Sequence, residues 1–192
     1  MSYSWSFHSF SDEAFHNVFG RSSPEQVSEF LELAASDLGD LSAEIAHASR
    51  SMLMSGISYD GVSPQASRAM DEVLRFAFSP EGLEAQLEVK PLSPDGIHPA
   101  VIAELVRRLN APTPLLAALL RGRRYGQAEP ADCEYCIFRP DEVSAVLKEI
   151  RNACAASEVW SAEYMPDLLQ ECLIEPFEVA VRAGRPVFCV LS

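Results

Sequence analysis

No run of about eighteen apolar residues occurs in the 192-residue chain, so a membrane-spanning helix is not expected. The first ten residues, Met1 to Phe10, have neither a basic stretch nor a long apolar one, so a secretory signal is not expected there. No cysteine precedes Cys133. The five that follow, Cys133, Cys136, Cys154, Cys172 and Cys189, are odd in number and crowded into the last third. A disulfide-stapled secreted domain would spread an even number along the chain, so a reducing, cytoplasmic setting is the expectation. There is no G-x-S-x-G, no phosphate loop and no G-x-G-x-x-G. The Ser-Pro spacings are unequal, so no solenoid repeat is expected.

What is present is a chain rich enough in apolar residues, at 48%, to build a core without metals or disulfides. One domain over 1–192 is expected, with a candidate subdivision at 89–99, where Pro91, Pro94, Gly96 and Pro99 cluster. Ser23-Pro24-Glu25-Gln26 reads as a capping box with proline at the first helical position. Ser63-Pro64, Ser79-Pro80 and Thr113-Pro114 read as similar helix starts. Arg139-Pro140-Asp141-Glu142 lacks the capping side chain but sets two carboxylates at the positive end of a helix dipole. Helices are expected near 12–19, 24–37, 42–54, 64–78, 98–109, 114–121, 140–156 and 166–183. Val27, Phe30, Leu31 and Ala34 form an i, i+3, i+4, i+7 stripe, as do Val143, Val146, Leu147 and Ile150. Gly20, Gly56 and Gly184 stand where helices stop. Tyr3, Trp5 and Phe7 alternate with serines, as in a half-buried strand. Residues 133–138 and Val187 to Leu191 read as short buried strands; Leu83 to Val89 alternates in part and is open to either structure. The fold class expected is α+β, predominantly helical, with a small sheet joining the N- and C-terminal strands.

Formal net charge is -13. Residues 1–100 hold 15 acids and 5 bases, residues 101–128 one acid and five arginines, and residues 129–192 12 acids and 5 bases. Such a charge repels nucleic acid and anionic lipid, so neither is an expected partner. Glu163, Asp167, Glu171 and Glu175 are spaced by four and Glu178 follows by three, with no Lys or Arg between Asn152 and Val181. On a helix these groups share a face and repel one another by roughly 0.2–0.5 kcal/mol per pair. A second acidic window, Glu25, Glu29, Glu32, Asp37, Asp40 and Glu44, also lacks bases. The functional reading is a surface for a basic protein partner; the plain alternative is a solvated helix face.

Three further constellations compete with this one. Glu13 with His16, and Glu44 with His47, have the Glu-x-x-His spacing of carboxylate-bridged metal sites, yet the acidic ladder holds no histidine and no metal or cofactor is expected. Cys133-Glu-Tyr-Cys136 is a C-x-x-C without a second pair, and buried thiols are the simpler reading. Arg121, Arg123, Arg124 and Tyr125 form the one basic cluster, either an anion clamp or pairing partners for the protein's own acids. Met52, Met54 and Ile57 form a stripe that an assembly partner would cover.

Glu134 to Val143 reads as a strand ending in a Pro-Asp-Glu-Val helix start, and Phe177 to Ser192 as a helix, a glycine stop and a terminal apolar strand. Over about the last sixty residues this layout resembles the YfbM-like family of small bacterial proteins. The Trp-His pair associated with that family has no counterpart, since neither Trp5 nor Trp160 adjoins a histidine. The resemblance implies a bacterial cytosolic α+β domain and no catalytic residue. The expected function is a non-catalytic acidic binding protein, in its most concrete form an immunity-type inhibitor of a basic bacterial toxin or effector domain. The alternative is a small enzyme or ligand-binding protein with an arginine clamp at 121–125.

Overall fold

The computed structural model describes residues 3–38, 42–93, 95–107, 109, 112–155 and 165–191. Glu163, Asp40, Pro94 and Trp160, singled out above, lie outside the described residues. The chain is predominantly helical α+β, with one four-stranded antiparallel sheet. It packs as two compact units, residues 1–9 with 90–192, and residues 10–89.

The first unit is built on the sheet. Strands β1 (Trp5–Ser9), β2 (Lys90–Pro91), β3 (Tyr135–Phe138) and β4 (Val187–Leu191) run in the order β2-β1-β4-β3. The strands nearest the two chain ends pair directly, with Trp5 opposite Leu191 and Ser9 opposite Val187. Alternation along β1 buries Trp5, Phe7 and Ser9. Tyr3, expected in this strand, precedes it and is 60% exposed. Helices α5 (Pro99–Arg107), α6 (Pro114–Arg121), α7 (Pro140–Ala155), α8 (Met165–Leu169) and α9 (Glu175–Ala183) supply the rest of the core. The stripe Val143, Val146, Leu147 and Ile150 is the buried face of α7. Phe177 of α9 lies between Phe7 and Phe138, with ring centroids 5.6 and 5.9 Å away.

The second unit holds α1 (Asp12–Arg21), α2 (Pro24–Leu38), α3 (Ala43–Ser55) and α4 (Pro64–Ala77). The capping box at Ser23 forms in both directions. Ser23 N donates to Gln26 Oε1 at 2.8 Å, and Gln26 N to Ser23 Oγ at 3.3 Å. Ser42 and Ser63 cap α3 and α4 through single bonds to Ile45 N and Ala66 N. Inside α1 the helical path breaks at Phe19 and Gly20, where Gly20 has φ +114°. A Cβ there would approach Gly56 N to 3.3 Å, so both the dihedral and the close backbone favour glycine. Phenylalanines dominate this core: Phe10 packs on Phe15 and Phe78, Phe15 on Phe19, and Phe30 on Phe76.

Ser79-Pro80, expected to start a helix, instead follows the end of α4 and leads into a string of turns. Leu87 N donates to Leu83 O and Val89 N to Glu84 O, so the segment is coiled rather than extended. Its apolar alternation is overridden by the i, i+4 pair Leu83 and Leu87, both buried. The methionine stripe is split as well. Met52 is fully buried, whereas Met54, on the other side of α3, is 48% exposed.

Phe177 is enclosed by two aromatic rings and is itself fully buried. Phe177→Ala is expected to lower the stability of the sheet-bearing unit by about 3–5 kcal/mol. Guanidinium unfolding followed by far-UV circular dichroism measures this; a loss below about 1 kcal/mol would show that the ring is not central.

Candidate functional site

The acidic ladder is formed by α8, a π-helical turn at Gln170–Ile174, and α9. Leu169, Cys172, Leu173, Pro176, Phe177 and Ala180 face inward, which is a helical i, i+3, i+4, i+7 repeat. Proline at 176 has no N–H for the carbonyl of Cys172. The ladder of bonds widens just before it, and Glu175 N reaches back five residues to Gln170 O. The bond lost at Pro176 is thus accommodated by a wider turn. The outward positions are Asp167, Glu171 and Glu175, all exposed. None of the three makes an ion pair among the described residues.

Glu178 differs from its neighbours. It is only 25% exposed and receives a short hydrogen bond from Arg151 of α7, with Arg182 at 3.7 Å. The ladder therefore ends at Glu175, and Glu178 ties α9 to α7. In the second unit, Glu25, Glu29 and Glu32 all lie on the exposed side of α2, opposite Val27, Phe30 and Ala34. The Glu25 carboxyl is held below its usual value by a backbone N–H of its own turn and by the Ser23 hydroxyl.

The basic cluster is arranged around Gly122, whose φ is +73°. A Cβ on it would come within 1.8 Å of Cys133 O. Glycine lets the strand-like segment 121–123 lie against 131–136, with Arg123 N donating to Tyr135 O and Cys133 N to Arg121 O. That path turns Arg121 outward and Arg123 inward. Arg121 grips Asp132 with two bonds of 2.7 and 2.8 Å. This contact lowers the Asp132 pKa and raises that of Arg121.

Arg123 is 5% exposed and holds Glu142, 15% exposed, through bonds of 2.9 and 2.7 Å. The same guanidinium donates to Ile137 O at 2.7 Å and lies 5.1 Å from the centre of the Phe138 ring. Its Nε–H is buried with no acceptor among the described residues. Glu142 also accepts from Arg139 N, completing the start of α7 that lacked a capping side chain. Arg124 and Tyr125 are half-buried beside this pair. Two of the three clamp arginines are thus engaged by the protein's own carboxylates, and a ligand anion would have to displace them.

Cys136 stands opposite Cys189 across β3 and β4, both fully buried. Burial, reinforced by the neighbouring Cys136 thiol, pushes the Cys189 thiol well above its usual value, and the positive Arg123 only partly opposes this. Cys133 lies just before the strand and donates to Tyr135 O at 3.2 Å, so the two ends of the C-x-x-C do different things. Among the described residues no three His, Cys, Asp or Glu groups converge as metal ligands. His16 approaches Asp12 at 3.7 Å rather than Glu13, and Glu44 accepts from Gln65 Nε2 at 2.9 Å.

These features define an α+β protein with two exposed acidic helix faces and an arginine cluster in which Arg121 and Arg123 are paired internally. No family model, no curated protein and no solved structure matches the chain. Among the described residues no helix is long and apolar enough to cross a membrane.

The sequence pointed to Glu178 as a ladder member and to Arg123 as a ligand group, and the structure pairs both internally. Glu142 was read only as a helix-start carboxylate, although the buried arginine depends on it. Burial raises the Glu142 pKa, but the hydrogen bonds from Arg123 and Arg139 N, with the charges of both arginines, outweigh it and leave the pKa lowered. A carboxyl with a lowered folded pKa adds stability above its unfolded value near 4.5, and that stability is lost as pH falls through the folded value. Glu142→Gln is expected to cost about 3–5 kcal/mol at pH 7 by leaving Arg123 buried and unpaired. It should also flatten the dependence of stability on pH below about 4.5. Urea unfolding of both proteins from pH 7 to pH 3 measures this; coincident curves would show that the pair contributes nothing to folding.

Proposed function

We propose that the protein is an acidic binding protein without catalytic activity, whose α8–α9 face docks a basic protein partner. The observation that carries the reading is the row Asp167, Glu171 and Glu175. These three carboxylates are exposed and spaced by four, and none has an ion-pair partner among the described residues, while Asp132, Glu142 and Glu178 have found arginines. Charge of one sign on an exposed face speeds encounter with a partner of the other sign and disfavours wrong partners. Glu25, Glu29 and Glu32 on α2 form a second face of the same kind.

The most concrete form of this proposal is an immunity-type inhibitor that covers a basic bacterial toxin or effector domain in the cytoplasm. The YfbM-like layout of the last sixty or so residues supports a bacterial setting and brings no catalytic residue with it. Nucleic acid is disfavoured as a partner by the net charge of -13. An anion clamp at 121–125 is disfavoured, because Arg121 and Arg123 already hold Asp132 and Glu142.

The test starts from a pull-down with host lysate at low salt, elution by a salt gradient, and purification of the basic protein released. Its affinity should fall at least about tenfold in the Asp167→Lys, Glu171→Lys, Glu175→Lys variant. It should also weaken as salt is raised from 50 to 300 mM, roughly in step with the screening length. The three substitutions are exposed, so the circular dichroism spectrum should be unchanged. Equal affinity of the variant at low salt would remove α8–α9 as the docking face, and absence of any stoichiometric partner would count against the reading as a whole.

A further inference from the structure

In the second unit, α3 and α4 leave a groove of about 470 Å³ between them, closed at one end by the 56–62 loop. Its origin is compositional. Ala43, His47, Ser51 and Ser55 recur every four residues along the groove side of α3. Three of these four side chains, Ala43, Ser51 and Ser55, are too small to fill the space between the helices, and the exposed His47 stands among them. Val62, Ala66 and Met70 make the facing wall apolar.

The lining contains no Lys or Arg, and its one carboxylate, Glu44, is steadied by the Gln65 amide at 2.9 Å. Around it, residues 10–89 carry 14 acids and 4 bases. An anion is disfavoured in such a field, and a cation is drawn to it. The volume falls within the range of small-molecule sites.

We propose that this groove binds a small organic cation with an apolar body, an alkyl or aryl amine. The ammonium lies on Glu44, and the body covers Ala48, Ala66 and Met70. The site goes beyond the protein-binding reading and does not depend on it.

The test uses the full chain with n-octylammonium as the probe, followed by calorimetry and by amide chemical shifts in ¹⁵N-labelled protein. Saturable binding at one site is expected, with the largest shifts inside residues 43–70. Four fewer methylenes should weaken it at least about tenfold, so n-butylammonium serves as the comparison. Glu44→Gln should weaken octylammonium about fivefold, and Ser51→Phe, which fills the groove from an exposed position, should abolish binding. Octanoate should not saturate.

Equal affinity for butylammonium would show attraction by charge alone and overturn the proposal. So would equal binding of octanoate, unchanged affinity in Glu44→Gln, or shifts centred outside residues 43–70. Retention of the wild-type circular dichroism spectrum by both variants keeps a loss of binding from being read as a loss of fold.

Discussion

The structure depends first on the antiparallel pairing of β1 with β4. These strands come from opposite ends of the chain and lie side by side at the centre of the sheet. Once paired, they give Phe7, Cys189 and Val187 a common face for α7 and α9 to cover. They also define where β2 and β3 add, one at each edge. Residues 10–89 leave the sheet after Ser9 and return at Lys90, and those two residues are themselves paired. An insertion of that kind is tolerated because the entropy of closing a loop grows only slowly with its length. What it requires is that the two ends of the insertion be held together, and the β1–β2 bridge does so.

Charge is organised on a different principle. The chain has an excess of thirteen acids, so nearly half of its 28 carboxylates have no lysine or arginine to meet. Two of the arginines join elements that are distant in sequence. Arg123 joins α6, β3 and α7 through Glu142 and Ile137 O, and Arg151 joins α7 to α9 through Glu178. The first of these is buried, where desolvation opposes the pair and only good geometry offsets it. The bidentate contact, the carbonyl and the Phe138 ring supply that geometry. Of the carboxylates left over, Glu25, Glu29 and Glu32 lie on the solvent side of α2 and Asp167, Glu171 and Glu175 on that of α8–α9. Repulsion between neighbours there is small in water, because each pair is exposed and screened.

Much of the fold was legible because the signals were local. The capping box at Ser23, the proline starts at Pro64, Pro114 and Pro140, the stop at Gly184 and the stripes of α2 and α7 all involve residues within about two turns of one another. The short strands were legible from the alternation of Tyr3, Trp5 and Phe7, although Tyr3 falls outside β1, and from the apolar run at Val187 to Leu191. The segment Leu83 to Val89 was not, since seven residues of mixed pattern suit either period. The π turn before Pro176 was visible only as a proline in a helix, because proline removes a bond without saying how the ladder will adjust.

By itself, then, the sequence determined most helix limits, the buried stripes of α2 and α7 and an excess of negative charge, all of which follow from spacing and composition. Only the tertiary structure decided which charges are neutralised. Arg123 meets Glu142 nineteen residues on and Arg151 meets Glu178 twenty-seven residues on, and no periodicity encodes such meetings. Asp167, Glu171 and Glu175 look like Glu178 in the sequence and differ from it in the fold, because α7 places a guanidinium beside one and not beside the others. The groove between α3 and α4 has the same origin: small residues on one helix become a binding surface only when a second helix packs close enough to wall it in.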